Sequence, residues 1–186
     1  MANKVKFGLS NVHYALITYG ENGAITYGSP VALPGSVNLD LSASGEQTDF
    51  FADNISYFST FANQGYTGSL EVAMIPDDFK TAVLGEVADT NGAIYEDASV
   101  TPKEFALGFQ IQGDDKNRKM WLYRCTCSRP SITADTKTET IEPNTDTLDL
   151  SVMPRLSDNR VKIGMTENAT NSQQFASFFE AVYEAQ

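Results

Sequence analysis

The side chains able to do chemistry in this chain are few and scattered. His13 is the only histidine, so Ser–His or Cys–His nucleophilic catalysis would rest on one residue. It falls in a predicted strand, where a lone histidine is ordinarily a packed or surface group. Cys125 and Cys127 are the only cysteines. Two apart on a strand, they share a face at a spacing of roughly 6.6 Å, with poor vectors for a disulfide. Two cysteines this close are neither a C-x-x-C redox pair nor a zinc ligand set, so two reduced thiols are expected. A glycosidase needs two carboxylates at a set separation, and nothing in the spacing of the 24 acidic residues selects a pair. The sequence carries no Gly-rich phosphate loop, G-x-S-x-G elbow, H-E-x-x-H or EF-hand pattern. Residues 114–119, Asp-Asp-Lys-Asn-Arg-Lys, mix charges as an exposed hairpin turn does. These observations predict no catalysis and neither metal nor cofactor.

What the chain does have is patterned strand. Val37, Leu39 and Leu41 alternate with Asn38 and Asp40; Leu70, Val72 and Met74 with Glu71 and Ala73; Leu148, Leu150 and Val152 with Asp149 and Ser151. Phe105, Leu107, Phe109 and Ile111 form a further apolar row. Period-two alternation predicts antiparallel strands with one face in a core and the other wet. Strands are also expected near residues 12–19 and 120–127, with both faces partly covered. Two helices interrupt the pattern. Pro76-Asp77-Asp78 opens the first, with Phe79, Ala82 and Val83 on its apolar side and Gly85 as its stop. The second, over residues 171–185, places Phe175, Phe178, Phe179 and Val182 on one side behind a Thr170–Gln173 capping-box pattern. The expected architecture is a mainly β, antiparallel sandwich with a short flanking helix and a C-terminal helix, in one domain spanning residues 1–186.

Residues 43–65 make a long connection for so compact a chain. They hold Phe50, Phe51, Tyr57, Phe58 and Phe61, too much aromatic surface to stay in water. Ala52-Asp53-Asn54 offers a turn. Folded as a hairpin, about 11 residues each way at ~3.3 Å per residue reach roughly 36 Å. A compact domain of this size has a radius of gyration of about 16 Å. Such an arm leaves its own body.

Charge is distributed as unevenly as the aromatics. The formal net charge is −11, and between Lys6 and Lys80 the chain has no lysine or arginine. Eight carboxylates stand in that stretch: Glu21, Asp40, Glu46, Asp49, Asp53, Glu71, Asp77 and Asp78. A surface built from it cannot clamp phosphates, but it can let a polyanion pass without sticking. Because the apolar rows fix the core side of three strands, Asp40, Glu71 and Asp149 must point away from the core. No apolar run approaches the roughly 20 residues of a membrane helix. The basic residues at the start are not followed by an apolar stretch, so no secretory signal is expected and assembly should begin in the cytoplasm.

The order of these features resembles a phage family. A strand is followed by the aromatic loop with Phe-Phe-Ala-Asp-Asn at 50–54, then Gly-Ser-Leu-Glu-Val-Ala-Met-Ile-Pro at 68–76 and a short helix ending Val-Leu-Gly at 83–85. Phe-Ala-Leu-Gly-Phe-Gln-Ile at 105–111 comes next, then Trp-Leu-Tyr-Arg-Cys-Thr-Cys-Ser-Arg-Pro at 121–130 and Lys-Thr-Glu-Thr-Ile-Glu-Pro-Asn-Thr-Asp-Thr-Leu-Asp-Leu at 137–150. In this order, over nearly the whole chain, they resemble the phi13-type major tail protein, the tail tube subunit of long non-contractile-tailed phages. The resemblance implies a β-sandwich whose copies form hexameric rings stacked into a hollow tube. It also implies a virion-tail location and partners among tape-measure, distal tail and tail terminator proteins. Double-stranded DNA would pass through without specific binding, and no membrane is involved. The aromatic loop would then be an inter-ring arm carried by Phe50, Phe51, Asp53, Asn54, Tyr57, Phe58 and Phe61. Asp40, Glu71 and Asp149 would be candidates for the lumen wall. The alternatives are a soluble acidic sandwich, such as a carbohydrate-binding module, and a tube subunit of the type VI secretion kind. The single Trp121, inside an apolar strand, argues against the first.

Overall fold

The computed structural model describes residues 3–21, 24–136 and 143–185. Its strands are β1 (Lys6–Tyr19), β2 (Ile25–Tyr27), β3 (Val31–Ala32), β4 (Ser36–Ser44), β5 (Gln47–Ala52), β6 (Ile55–Phe61) and β7 (Gly65–Val72). They continue with β8 (Val87–Ala88), β9 (Ile94–Tyr95), β10 (Phe105–Gly113), β11 (Arg118–Cys127), β12 (Asp146–Val152) and β13 (Lys162–Thr166). Among the described residues, nine strands join one sheet whose main path is β2-β1-β10-β11-β12-β7-β4. Strand β13 adds to β11, and β3 adds to β1. Every pairing in it is antiparallel.

The sheet folds over as a sandwich, its two halves facing each other across the main core. Val12, Tyr14, Phe105, Leu107, Phe109 and Leu122 come from the β1–β10–β11 half. Leu148, Leu150, Val152, Leu70 and Val72 come from the β12–β7–β4 half, with Leu39 and Leu41 packed against them. These are the predicted apolar rows, with two departures. Met74 lies beyond the end of β7 and is 71% exposed, because the chain leaves the sheet at Ala73, whose N–H bonds Gly35 O. Val37 is exposed at the rim of the edge strand, next to the bulge between Ser36 and Asn38.

The first helix plugs the core. Its α-helical start, α1 (Asp77–Phe79), runs into a π-helical turn over Lys80–Leu84, and Gly85 stops it at φ 79°. Phe79, Val83 and Leu84 are buried, with Phe79 edge-on to Tyr14 at 4.9 Å and to Phe105 at 5.7 Å. The wider turn is the difference from the expected simple helix.

The C-terminal segment covers the outer face of the β1–β10–β11 half. Helix α2 (Ser172–Ala176) passes into a 3-10 turn at Ser177–Phe179 and ends there, well short of the predicted residue 185. Three alternate residues of β11 explain the difference by donating to its carbonyls: Lys119 Nζ to Phe175 O at 2.6 Å, Trp121 Nε1 to Phe178 O at 2.9 Å, Tyr123 OH to Tyr183 O at 3.0 Å. A chain stapled along a strand cannot continue to coil. The predicted capping box does not form either, since the Thr170 hydroxyl donates instead to Asn168 Oδ1 at 2.7 Å and Asn171 makes no side-chain cap bond. Phe178 and Val182 still bury, with Trp121, Tyr123, Ala15 and Ala106, in a second core. Gly108, opposite Trp121 in the ladder, is required there, because a Cβ would stand 2.7 Å from the indole.

Candidate assembly and lumen surfaces

Among the described residues, the outer face of the β12–β7–β4 half has no such cover. Register places Asp40 opposite Ser69 and Ser69 opposite Asp149, so the three form one row across the strands. Asn38, Glu71 and Thr147 form the next row, and Ser42, Thr67 and Ser151 the one after. All point the same way, since paired residues and residues two apart share a face. Asp40 and Asp149 are exposed and Glu71 half-buried, its carboxylate accepting from the Thr145 hydroxyl at 2.6 Å. The three strands contain neither lysine nor arginine. Arg124, on β11 at the margin, is neutralised by Glu104 in a two-pronged pair at 2.7 and 2.9 Å. The sequence placed these carboxylates away from the core; only strand order makes them neighbours. Ser69 and Thr147 were missed, because a small hydroxyl residue gives no signal of its neighbours across a sheet.

The predicted arm is a β-hairpin, β5 paired with β6 alone. Asp53 and Asn54 form its turn, both with positive φ (51° and 62°). That is the mirror-image turn whose twist suits a hairpin, and one that Asn and Asp tolerate. At its root Gly65, φ 103°, passes so close to β12 that a Cβ would lie 1.9 Å from Val152 O. Phe50 faces Phe58 across the ladder, and Ala52 faces Ile55, on one side of the ribbon. The other side carries Gln47, Asp49, Ser59 and Phe61; Ser59 and Gln47 hydrogen-bond Asp49 and hold its carboxyl below the usual range. Tyr57 is the extra residue where the ladder shifts between Phe50 and Phe51. Phe50, Phe51, Tyr57, Phe58 and Phe61 are each 59–73% exposed. The two strands of this hairpin pair only with each other, and its aromatic side chains stand exposed among the described residues.

The chemistry-bearing residues are tied into structure. His13 stacks on Phe179 at 4.8 Å and its Nδ1 lies 2.9 Å from Asn11 O. Cys125 and Cys127 are buried free thiols; burial pushes both up, Cys127 to about 12. Arg155, only 4% exposed, pairs with Asp158 and with Glu184 at 3.0 Å, and stands over the Tyr123 ring at 4.5 Å. The guanidinium holds the Asp158 carboxyl down at about 2. This clamp fastens the chain's last residues to the loop after β12. It gave no sequence signal, since Tyr123 and Glu184 lie far from Arg155 along the chain. Among the described residues, no group of three His, Cys, Asp or Glu side chains is placed to hold a metal ion. No helix among them is long and apolar enough to cross a membrane.

No protein-family model matches this chain, and no curated protein matches it by sequence. Of the segments that carry the phage resemblance, residues 137–142 lie outside the described residues.

Proposed function

We propose that this chain is a structural subunit of a phage-type tail tube, not an enzyme. Six copies form a ring, and rings stack into a conduit through which the genome leaves the virion. The observation that carries this reading is the face of the β12–β7–β4 half, uncovered among the described residues, with Asp40, Glu71 and Asp149 among small polar residues and no lysine or arginine on its three strands. Most soluble β-surfaces mix both signs of charge; these three strands carry carboxylates alone, which repel phosphate. A ring of six would project about eighteen carboxylates from these positions, keeping DNA off the wall. The projecting hairpin supports the same reading, because it presents aromatic anchors of the kind that dominate protein interfaces. The other partners in this reading are tape-measure, distal tail and terminator proteins, and the subunit needs neither cofactor nor membrane.

The test replaces Asp40, Glu71 and Asp149 together by lysine. Lysines lining a conduit gain phosphate contacts through counterion release. Tubes should still assemble, while genome ejection slows, most at low salt. Ejection at the normal rate from particles carrying the triple variant would take these residues off the lumen wall.

A further inference from the structure

The polar face of the β12–β7–β4 half does not stop at β12. Ser42 pairs with Thr67, Thr67 with Ser151, and Ser151 with Thr126 of β11. Phe105 pairs with Cys125, so one residue further on, antiparallel register brings Glu104 level with Thr126. One row of side chains therefore runs from β4 through β7, β12 and β11 to the residue before β10. Phe105, Cys125, Cys127, Leu150 and Val152 fill the core on the other side, which leaves Thr126 and Glu104 facing outward with the carboxylates. Arg124, two residues before Thr126, lies on that side too, since its guanidinium meets Glu104 there. It is a cation on the surface that the tube reading turns toward DNA.

A guanidinium left open at that place would take a phosphate through two parallel hydrogen bonds, with counterion release adding to the hold. The fork is already filled. Its Nε and Nη2 donate to the two carboxylate oxygens of Glu104 at 2.9 and 2.7 Å, and its Nη1 donates to Pro154 O at 3.4 Å. Glu104 is held in place in turn. The Tyr19 hydroxyl donates to the same carboxylate, and the Glu104 carbonyl accepts from the Ile17 N–H at 3.1 Å. The guanidinium, with the Tyr19 hydroxyl, keeps the Glu104 carboxyl below its usual range, so the pair stays ionised in mild acid.

Resting on the lumen reading above, we propose that Glu104 is a charge shield: it fills the Arg124 fork so that this cation cannot hold passing DNA, and Tyr19 positions it. Asp40, Glu71 and Asp149 repel phosphate through their field. Glu104 works by contact instead, on a cation at the margin of that field. The side chains of the pair are 17% and 21% exposed, covered enough to hold one geometry and open enough for a released guanidinium to reach a phosphate.

Retention of DNA by assembled tubes tests this. Tubes are pelleted with a short fluorescent DNA duplex at low salt. The proteins compared are the parent, Glu104→Gln, Glu104→Gln with Arg124→Gln, and the variant with Asp40, Glu71 and Asp149 changed to lysine. Glu104→Gln should retain several-fold more duplex than the parent, and the double variant no more than the parent. The excess should fade as salt rises. Arg124→Lys keeps the charge pair but loses the two-pronged grip; it should also exceed the parent, and it replaces Glu104→Gln if that variant fails to assemble. Parent-level retention by the Glu104 or Arg124→Lys variant, beside strong retention by the triple variant, would overturn the shield and leave the lumen reading standing. Parent-level retention by all of them, or no tubes from the parent chain, would remove both. Equal excess from the single and double Glu104 variants would trace the effect to packing rather than to Arg124, and would also overturn the inference.

Discussion

Two aromatic clusters in this chain meet opposite fates. Phe175, Phe178 and Phe179 fold back onto their own sheet, whereas Phe50, Phe51, Tyr57, Phe58 and Phe61 stand in water. Hydrophobicity does not separate them, because both are dense in phenylalanine. Polar satisfaction does. The C-terminal segment leaves carbonyls free at its helical end, and Lys119, Trp121 and Tyr123 on one face of β11 are placed to answer them. The hairpin's two strands pair only with each other and leave their outer edges to water. A cluster whose carbonyls meet donors on the sheet is held by it; one whose strands pair with no strand of the body is left to serve another molecule.

The sharpest way to break this contrast is truncation in both clusters. Phe178→Ala removes a fully buried ring and should cost about 3–5 kcal/mol, a fall of roughly 6–20 °C in subunit Tm. Phe58→Ala, on the exposed ribbon, should change subunit stability by less than about 0.5 kcal/mol while lengthening the lag of assembly or abolishing it. Equal melts for the two variants would end the distinction. Thermal unfolding and light scattering on the same samples measure both.

Acid sharpens the comparison next. Asp158 is held near 2 by Arg155, below its unfolded value of about 3.9. A depressed folded pKa gives stability that is present above about pH 4 and is lost as pH falls toward 2. Glu104, lowered by its hydrogen bonds to Arg124, acts in the same direction. The C-terminal segment, which Arg155 ties to the loop after β12 through Glu184, should therefore loosen as pH falls toward 2. Near-ultraviolet circular dichroism of Trp121 between pH 5 and 2 follows it, and Asp158→Asn should flatten the transition.

The smallest effect is expected at His13. Its stack on Phe179 is an aromatic contact of about 0.5–1.5 kcal/mol, so His13→Ala should lower the subunit Tm by a few degrees. Assembly should not change. Loss of function in folded, assembled His13→Ala protein would reopen an enzymatic role.

Much of this was legible in the sequence, for reasons the two clusters illustrate. Alternation at Leu39, Leu70, Leu148 and Phe105 marks a half-buried strand whatever its neighbours are, and Asp53-Asn54 names its own turn type. The arm was visible because length and composition disagreed with a compact body. The end of the C-terminal helix was not, because it is set by donors on β11, some fifty to sixty residues away in sequence. The row of Asp40, Ser69 and Asp149 depends on strand order, which period-two patterning does not encode.

The central claim is that the aromatic hairpin joins copies and the sandwich folds without it. Electron microscopy of the purified protein at high concentration, beside a variant with residues 46–62 replaced by a short Gly-Ser turn, tests it most directly. The account predicts long hollow tubes from the intact chain, and from the variant a subunit with an unchanged melt that forms no long tubes. Tubes of normal length from the shortened chain would contradict it.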